Sequence, residues 1–162
     1  MFIIAGFVLG VIGFMVGVER WWNTNDSSTQ VEIPADVAEH IASKRDLIVV
    51  SEPKPLSVIT SPLTVRGLAR GAWYFEATFP IVLVDWDGKI IAQSYASAIL
   101  DPNNPESTWM TQEFVPFEGT IEFANPSGES DFSKRGTLIF QKDNPSGLSM
   151  YSDALEIPIL FK

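Results

Sequence analysis

Residues that could do chemistry are few here and poorly spaced for it. The 162-residue chain has one histidine, His40, and no cysteine. Thiolate catalysis, disulfides, cysteine metal clusters and a lipid-modified cysteine are thereby excluded. A Ser-His-Asp arrangement would need His40, which lies ahead of the main body, to reach into it. No second histidine or paired carboxylate stands at ligand spacing from His40, so it reads as a surface residue and not a metal ligand. The chain has no G-x-S-x-G elbow, phosphate-cradling glycine loop or H-E-x-x-H run. Asp85-Trp86-Asp87-Gly88 opens like a calcium loop, but the later ligands and the closing glutamate do not follow. Glu113 and Glu118 are the nearest candidates for a hydrolytic carboxylate pair, and a retaining pair needs oxygens about 5 Å apart. No catalytic residue, cofactor or metal is expected.

What remains is recognition. Aromatic side chains on loops suit contact with a protein or glycan, and the candidates are Trp86, Tyr95 and Trp109. The loop Asp143-Asn144-Pro145-Ser146-Gly147 is the candidate contact surface beside them. It repeats the turn chemistry of Asn125-Pro126-Ser127-Gly128, with proline fixing φ and glycine permitting a left-handed residue. The alternative reading, a carbohydrate or peptidoglycan module, requires Trp73, Trp86 and Trp109 to form a coplanar strip. A net charge of −9 argues against a nucleic-acid binder, which needs a basic face to displace counterions. Between Lys89 and Lys134 there are acidic residues and no basic ones, which reads as a solvated face. The sharper readings of that stretch are a weak Ca²⁺ site or a docking face for a basic partner.

The elements that must position these residues are strands. With 46% hydrophobic and 19% charged residues the chain can bury a core. Trp73–Asp85 alternates with period two, Trp73, Phe75, Ala77, Phe79, Ile81 and Leu83 falling on one parity. Asp87-Gly88 then predicts a two-residue hairpin into a return strand, Lys89–Ser97. Further strands are predicted at Leu47–Val50, Leu63–Ala69, Phe117–Phe123, Gly136–Lys142 and Leu155–Phe161. Pro80 and Pro158 cannot donate to a ladder, so each predicts an edge or a bulge. This grammar argues an all-β, two-sheet antiparallel sandwich over residues 47–162.

Residues 1–22 predict a membrane anchor. Phe2–Val18 is uninterruptedly apolar and as a helix spans about 25 Å, with Arg20 and Trp21-Trp22 suited to the interface. It lacks the preceding basic residue and following A-x-A site of a cleaved signal. Gly6, Gly10, Gly13 and Gly17 lie on one helical stripe and would permit weak self-association within the bilayer. Residues 23–46 predict a polar tether and then a short amphipathic helix, Pro34–Asp46, with Val37, Ala38 and Ile41 on one side.

Several stretches together carry a resemblance. Ser61-Pro62-Leu63-Thr64-Val65-Arg66-Gly67-Leu68-Ala69-Arg70-Gly71 is followed by Trp73-Tyr74-Phe75-Glu76-Ala77, Trp109-Met110-Thr111 and Phe114-Val115-Pro116-Phe117. Gly136-Thr137-Leu138, Lys142-Asp143-Asn144-Pro145-Ser146-Gly147 and Glu156-Ile157-Pro158 continue in order. The set resembles the immunoglobulin-like domain family of bacterial spore germination, over roughly Leu47–Lys162. That resemblance implies a non-enzymatic accessory module on the outer side of a bacterial membrane, where its partner is an envelope protein or glycan. It also places the C-terminal body outside, in a single-pass topology that Arg20 alone does not specify.

Overall fold

Polar–apolar alternation builds most of this body, and a helix seals one edge of it. The computed structural model describes residues 32–126 and 133–162. The expected anchor, its glycines Gly6, Gly10, Gly13 and Gly17, the polar tether 23–30 and the turn residues Ser127 and Gly128 lie outside the described residues. Among the described residues no helix is long and apolar enough to cross a membrane.

The elements are α1 (Ala35–Ser43), β1 (Ile48–Glu52), β2 (Val58–Ile59), β3 (Leu63–Arg70), β4 (Thr78–Asp85), β5 (Ile90–Ala98), β6 (Phe114–Ile121), β7 (Arg135–Gln141) and β8 (Ala154–Phe161). Their ladder runs β1-β3-β6-β5-β4-β7-β8-β2. β5 is the corner: it pairs with β4 along its length but with β6 only at Ala96, Ser97 and Ala98. The ladder therefore folds over at β5 into two layers. The Phe117 ring of β6 meets Phe79 of β4 at 5.0 Å and Phe140 of β7 at 6.0 Å, which shows those layers face to face. On β8, Leu155, Ile157, Ile159 and Phe161 are all buried, as their shared parity predicts.

The structure corrects three local expectations. First, β8 pairs in parallel with the short strand β2, so the sandwich is not wholly antiparallel. Second, the long strand does not begin at Trp73. Gly71–Trp73 is a 3₁₀ turn, after which Phe75 and Thr78 exchange backbone hydrogen bonds at 2.9 and 3.0 Å around Glu76 and Ala77. Those two residues sit at φ 49° and 63°. The reversal buries Trp73 and Tyr74 together and leaves Phe75 41% exposed, which a strand alternating faces cannot do. Third, the β4–β5 connection is not a two-residue hairpin. Asp85 and Lys89 close a three-residue turn in which Gly88 alone has positive φ, at 78°, and the Asp85 carboxylate accepts the Asp87 and Lys89 N–H groups.

Helix α1 is shorter than its sequence pattern, and it lies along β8. His40 Nε2 accepts the Glu156 backbone N–H at 3.1 Å, satisfying a strand group that no neighbouring strand reaches. Ile41 packs against the core, and the Lys44 ammonium pairs with the half-buried Asp153 carboxylate. His40 therefore has a structural part in sealing an edge, for which its surroundings in the sequence carry no sign.

Candidate recognition site

Pro80 stands at the mouth of a wide opening in the body. β4 pairs with β5 from Thr78 onward but with β7 only from Ile81, one residue past the proline. Without an N–H to donate, Pro80 ends the β4–β7 ladder, and the strands part beyond it. The resulting cleft, about 720 Å³, is lined by Pro80, Lys142, Asp143, Asn144, Ser152 and Glu156 among others. Tyr95 pairs with Pro80 from β5 and stands 61% exposed on the outward face there.

The loop that walls this cleft, 142–153, is held at its neck and braced within. Lys142 N–H donates to Asp153 O at 2.8 Å and Asp143 N–H donates to Trp73 O at 3.0 Å. Asn144 Nδ2 donates to Leu148 O at 2.8 Å and to Ser152 Oγ at 3.1 Å, while its Oδ1 accepts the Ser146 hydroxyl at 2.6 Å. Gly147, at φ 67°, returns its N–H to Asn144 O. Asn144 is thus the brace of the loop, and the side chains it leaves outside are Leu148, Met150 and Tyr151, with Met150 76% exposed. Asn144→Ala is expected to lower global stability by about 1–2 kcal/mol at most and to loosen the loop first. Hydrogen exchange at Gly147 and Leu148 should accelerate well before exchange in β7. Unchanged exchange there would show that the brace is dispensable.

Two further loops meet this one. Ala98 N–H donates to Ala77 O at 2.8 Å. A Cβ on Gly71 would lie 2.0 Å from Thr111 O and 2.3 Å from Trp109 O. The turn 71–77 is therefore the keystone between the loops 99–113 and 142–153. Burial raises the Tyr74 phenol pKa above its ordinary value, so the hydroxyl stays protonated and donates to Val115 O at 2.8 Å, tying the keystone to β6. Around this pole Ile99, Met110, Leu148, Met150 and Tyr151 are all half or more exposed.

The candidate residues are thus divided. Asp143–Gly147 and Trp109 belong to this pole, and Tyr95 is the β5 partner of Pro80, which lines the cleft. Trp86 does not: its turn lies at the other end of β4, about 26 Å away along the strand. Trp73 is 2% exposed and Trp109 is partly buried against the core, so the tryptophans form no strip for a sugar. Glu118 is engaged by Arg66, which also holds Glu52, and Glu113 lies 3.8 Å from Arg70. The two glutamates sit in separate ion pairs about 17 Å apart along the chain, which is no retaining pair. Among the described residues no group of carboxylates and histidine could hold a metal ion. Leu148, Met150, Tyr151 and Met110 are exposed here without any motif or period that marks them as a surface. The available signal was apolar side chains in a turn-rich stretch that no strand or helix period explains.

Residues 47–147 match a family model described as the immunoglobulin-like domain of bacterial spore germination. No curated protein and no solved structure matches the chain.

Proposed function

Because the chain belongs to the family of immunoglobulin-like domains of bacterial spore germination, we propose that it is a membrane-tethered, non-catalytic interaction module of the bacterial envelope. Residues 2–18 hold it to the bilayer, the body stands on the extracytoplasmic side, and the loops 71–77, 99–113 and 142–153 receive an envelope partner. Sporulation or germination is the setting that the family implies. The glycine stripe at Gly6, Gly10, Gly13 and Gly17 would let two anchors approach closely within the membrane.

The carrying observation is the polarity of the body. Its N-terminal end, at Glu32 and Pro34, lies against Arg135, Leu160 and Leu56. Arg135 and Leu160 are paired at the end of β7–β8 opposite Gln141 and Ala154, where the loop 142–153 begins and ends. Within the body, therefore, the chain enters at one pole and the loop cluster stands at the other. Sites of contact on rigid sandwiches are placed at loop ends in this way.

Two measurements on the full chain in intact cells test the reading. Protease added outside should remove the body, while the N-terminal fragment stays in the membrane pellet after an alkaline wash. A photo-cross-linker replacing Met150 should capture a partner, and one replacing Trp86 should capture far less. Protection of the body until lysis, release by the wash, or equal capture at both positions would overturn it.

A further inference from the structure

We infer that the partner of the loop pole is a basic polypeptide surface carrying apolar or aromatic side chains, and not a neutral glycan. The inference rests on the reading of this pole as the recognition face and adds the chemistry of what it receives.

Charge is the first ground. The three loops 71–77, 99–113 and 142–153 carry Glu76, Asp101, Glu106, Glu113, Asp143 and Asp153 against a single cation of their own, Lys142. Two cations reach in from neighbouring elements, and both are committed. Lys44 pairs with Asp153. Arg70 donates to Asp46 O at 3.0 Å and Gln112 O at 2.8 Å and lies 4.2 Å over the Phe114 ring. Glu106 and Asp143 donate their backbone N–H groups to Asn104 Oδ1 and Trp73 O, but among the described residues the carboxylates of Glu76, Glu106 and Asp143 pair with no side chain or backbone group of the loops, so their charge is left for solvent or a partner. One of them stands on each loop, and the loops are joined at Gly71, Trp73 and Ala77. The acidity is therefore spread over one surface and is not a local cluster.

Apolar exposure is the second ground. Met110 and Met150 are 71% and 76% exposed, and Tyr151 is 51% exposed. Flexible methionines and an aromatic ring among carboxylates suit lysine and arginine stems and aromatic rings on a protein face. Sugar rings ask instead for flat aromatic platforms, and here Trp73 is in the core and Trp109 is turned against it. Electrostatic complementarity of this kind sets encounter rate and excludes acidic partners.

The test uses the full chain in neutral detergent, with a short Lys/Tyr peptide as probe and binding followed by anisotropy against empty micelles. A Glu/Tyr peptide and an oligosaccharide of N-acetylglucosamine serve as competitors of different chemistry. The triple variant Glu76→Gln, Glu106→Gln, Asp143→Asn removes one charge from each loop. Glu39→Gln, Asp87→Asn, Glu122→Gln removes the same charge elsewhere. The Lys/Tyr peptide should bind and weaken as salt rises, the pole variant should lose about tenfold in affinity, and the distant variant less than about twofold. Both variants should keep the parent's strand dichroism and unfolding temperature.

Equal losses in the two variants, equal binding of the Glu/Tyr peptide, or binding of the oligosaccharide alone would overturn the inference. The Met150 cross-linking experiment separates the two levels. Capture that survives the pole variant sinks the charge argument alone, whereas no capture at all sinks the recognition face itself.

Discussion

Replacing Phe117 with alanine is expected to lower the stability of the body by about 3–5 kcal/mol, the usual range for emptying a buried phenylalanine site. Phe117 is 1% exposed, and its ring is the contact between layers, meeting Phe79 on one side and Phe140 on the other. Its β-strand partner Gly67 has no side chain, and the Phe117 ring fills that space, coming within 2.6 Å of where a Cβ would stand. The neighbours are fixed on three strands, so collapse into the cavity is limited and the upper half of the range applies. For a body of this size the loss corresponds to a fall in Tm of about 10–18 °C. Phe117→Leu keeps most of the volume and should cost about 1–1.5 kcal/mol. Urea denaturation of both variants checks the pair of values. An alanine variant within about 1 kcal/mol of the parent would mean that Phe117 does not join the layers.

Gly71→Ala is the second large effect, and it falls on the loop pole proposed for recognition. The added methyl would lie 2.0 Å from Thr111 O, 2.3 Å from Trp109 O and 2.8 Å from Thr111 N. All three are backbone atoms, so no side-chain rotation relieves the overlap. The loop 99–113 must move, at a cost of about 2–3 kcal/mol or more. The expected signature is local as well as global. Exchange protection at Thr111, whose N–H donates to Trp109 O at 2.9 Å, should be lost, while β7 and β8 keep theirs in proportion to the remaining stability. Partner capture through Met150 should fall together with it, because the 71–77 turn also holds the loop 142–153 through Trp73. Unaltered stability and unaltered exchange at Thr111 would show that the close approach is not required.

These two positions also mark how far the amino-acid pattern carried the fold. The faces of β3, β6 and β8 were legible because alternation is a local property, readable over six or eight residues. The ordered motifs from Ser61 to Gly147 carried the family and with it the sandwich. Trp73–Ala77 reads as strand for the same local reason, yet folds as a turn. Its residue types alternate acceptably, and the turn at Glu76-Ala77 lacks the Asn-Gly signature that positive φ at two successive residues usually brings. The turn is held instead by Trp73 O, which receives Asp143 N–H, and by Ala77 O, which receives Ala98 N–H. Tertiary contact outweighed local preference there.

The candidate site was half legible. Asn144, Pro145 and Gly147 were recognisable as turn residues, and the loop they build does wall the cleft. Its outward side chains, and the separation of Trp86 from it, were not. Nothing near Trp86 in the chain says which pole its hairpin occupies, since that depends on the direction in which β4 is laid into the ladder.

What the sequence determined by itself was the material: a cysteine-free, acidic chain with period-two strands, a family signature and an apolar leading segment. What only the tertiary structure decided was assembly: the parting of β4 and β7 at Pro80, the sealing of β8 by His40, and the meeting of the three loops around Gly71. The physical reason is range. Periodicity and turn chemistry act between near neighbours, whereas the loop pole is made by hydrogen bonds and close approaches between residues far apart in the chain, whose cost in loop entropy only the completed core offsets.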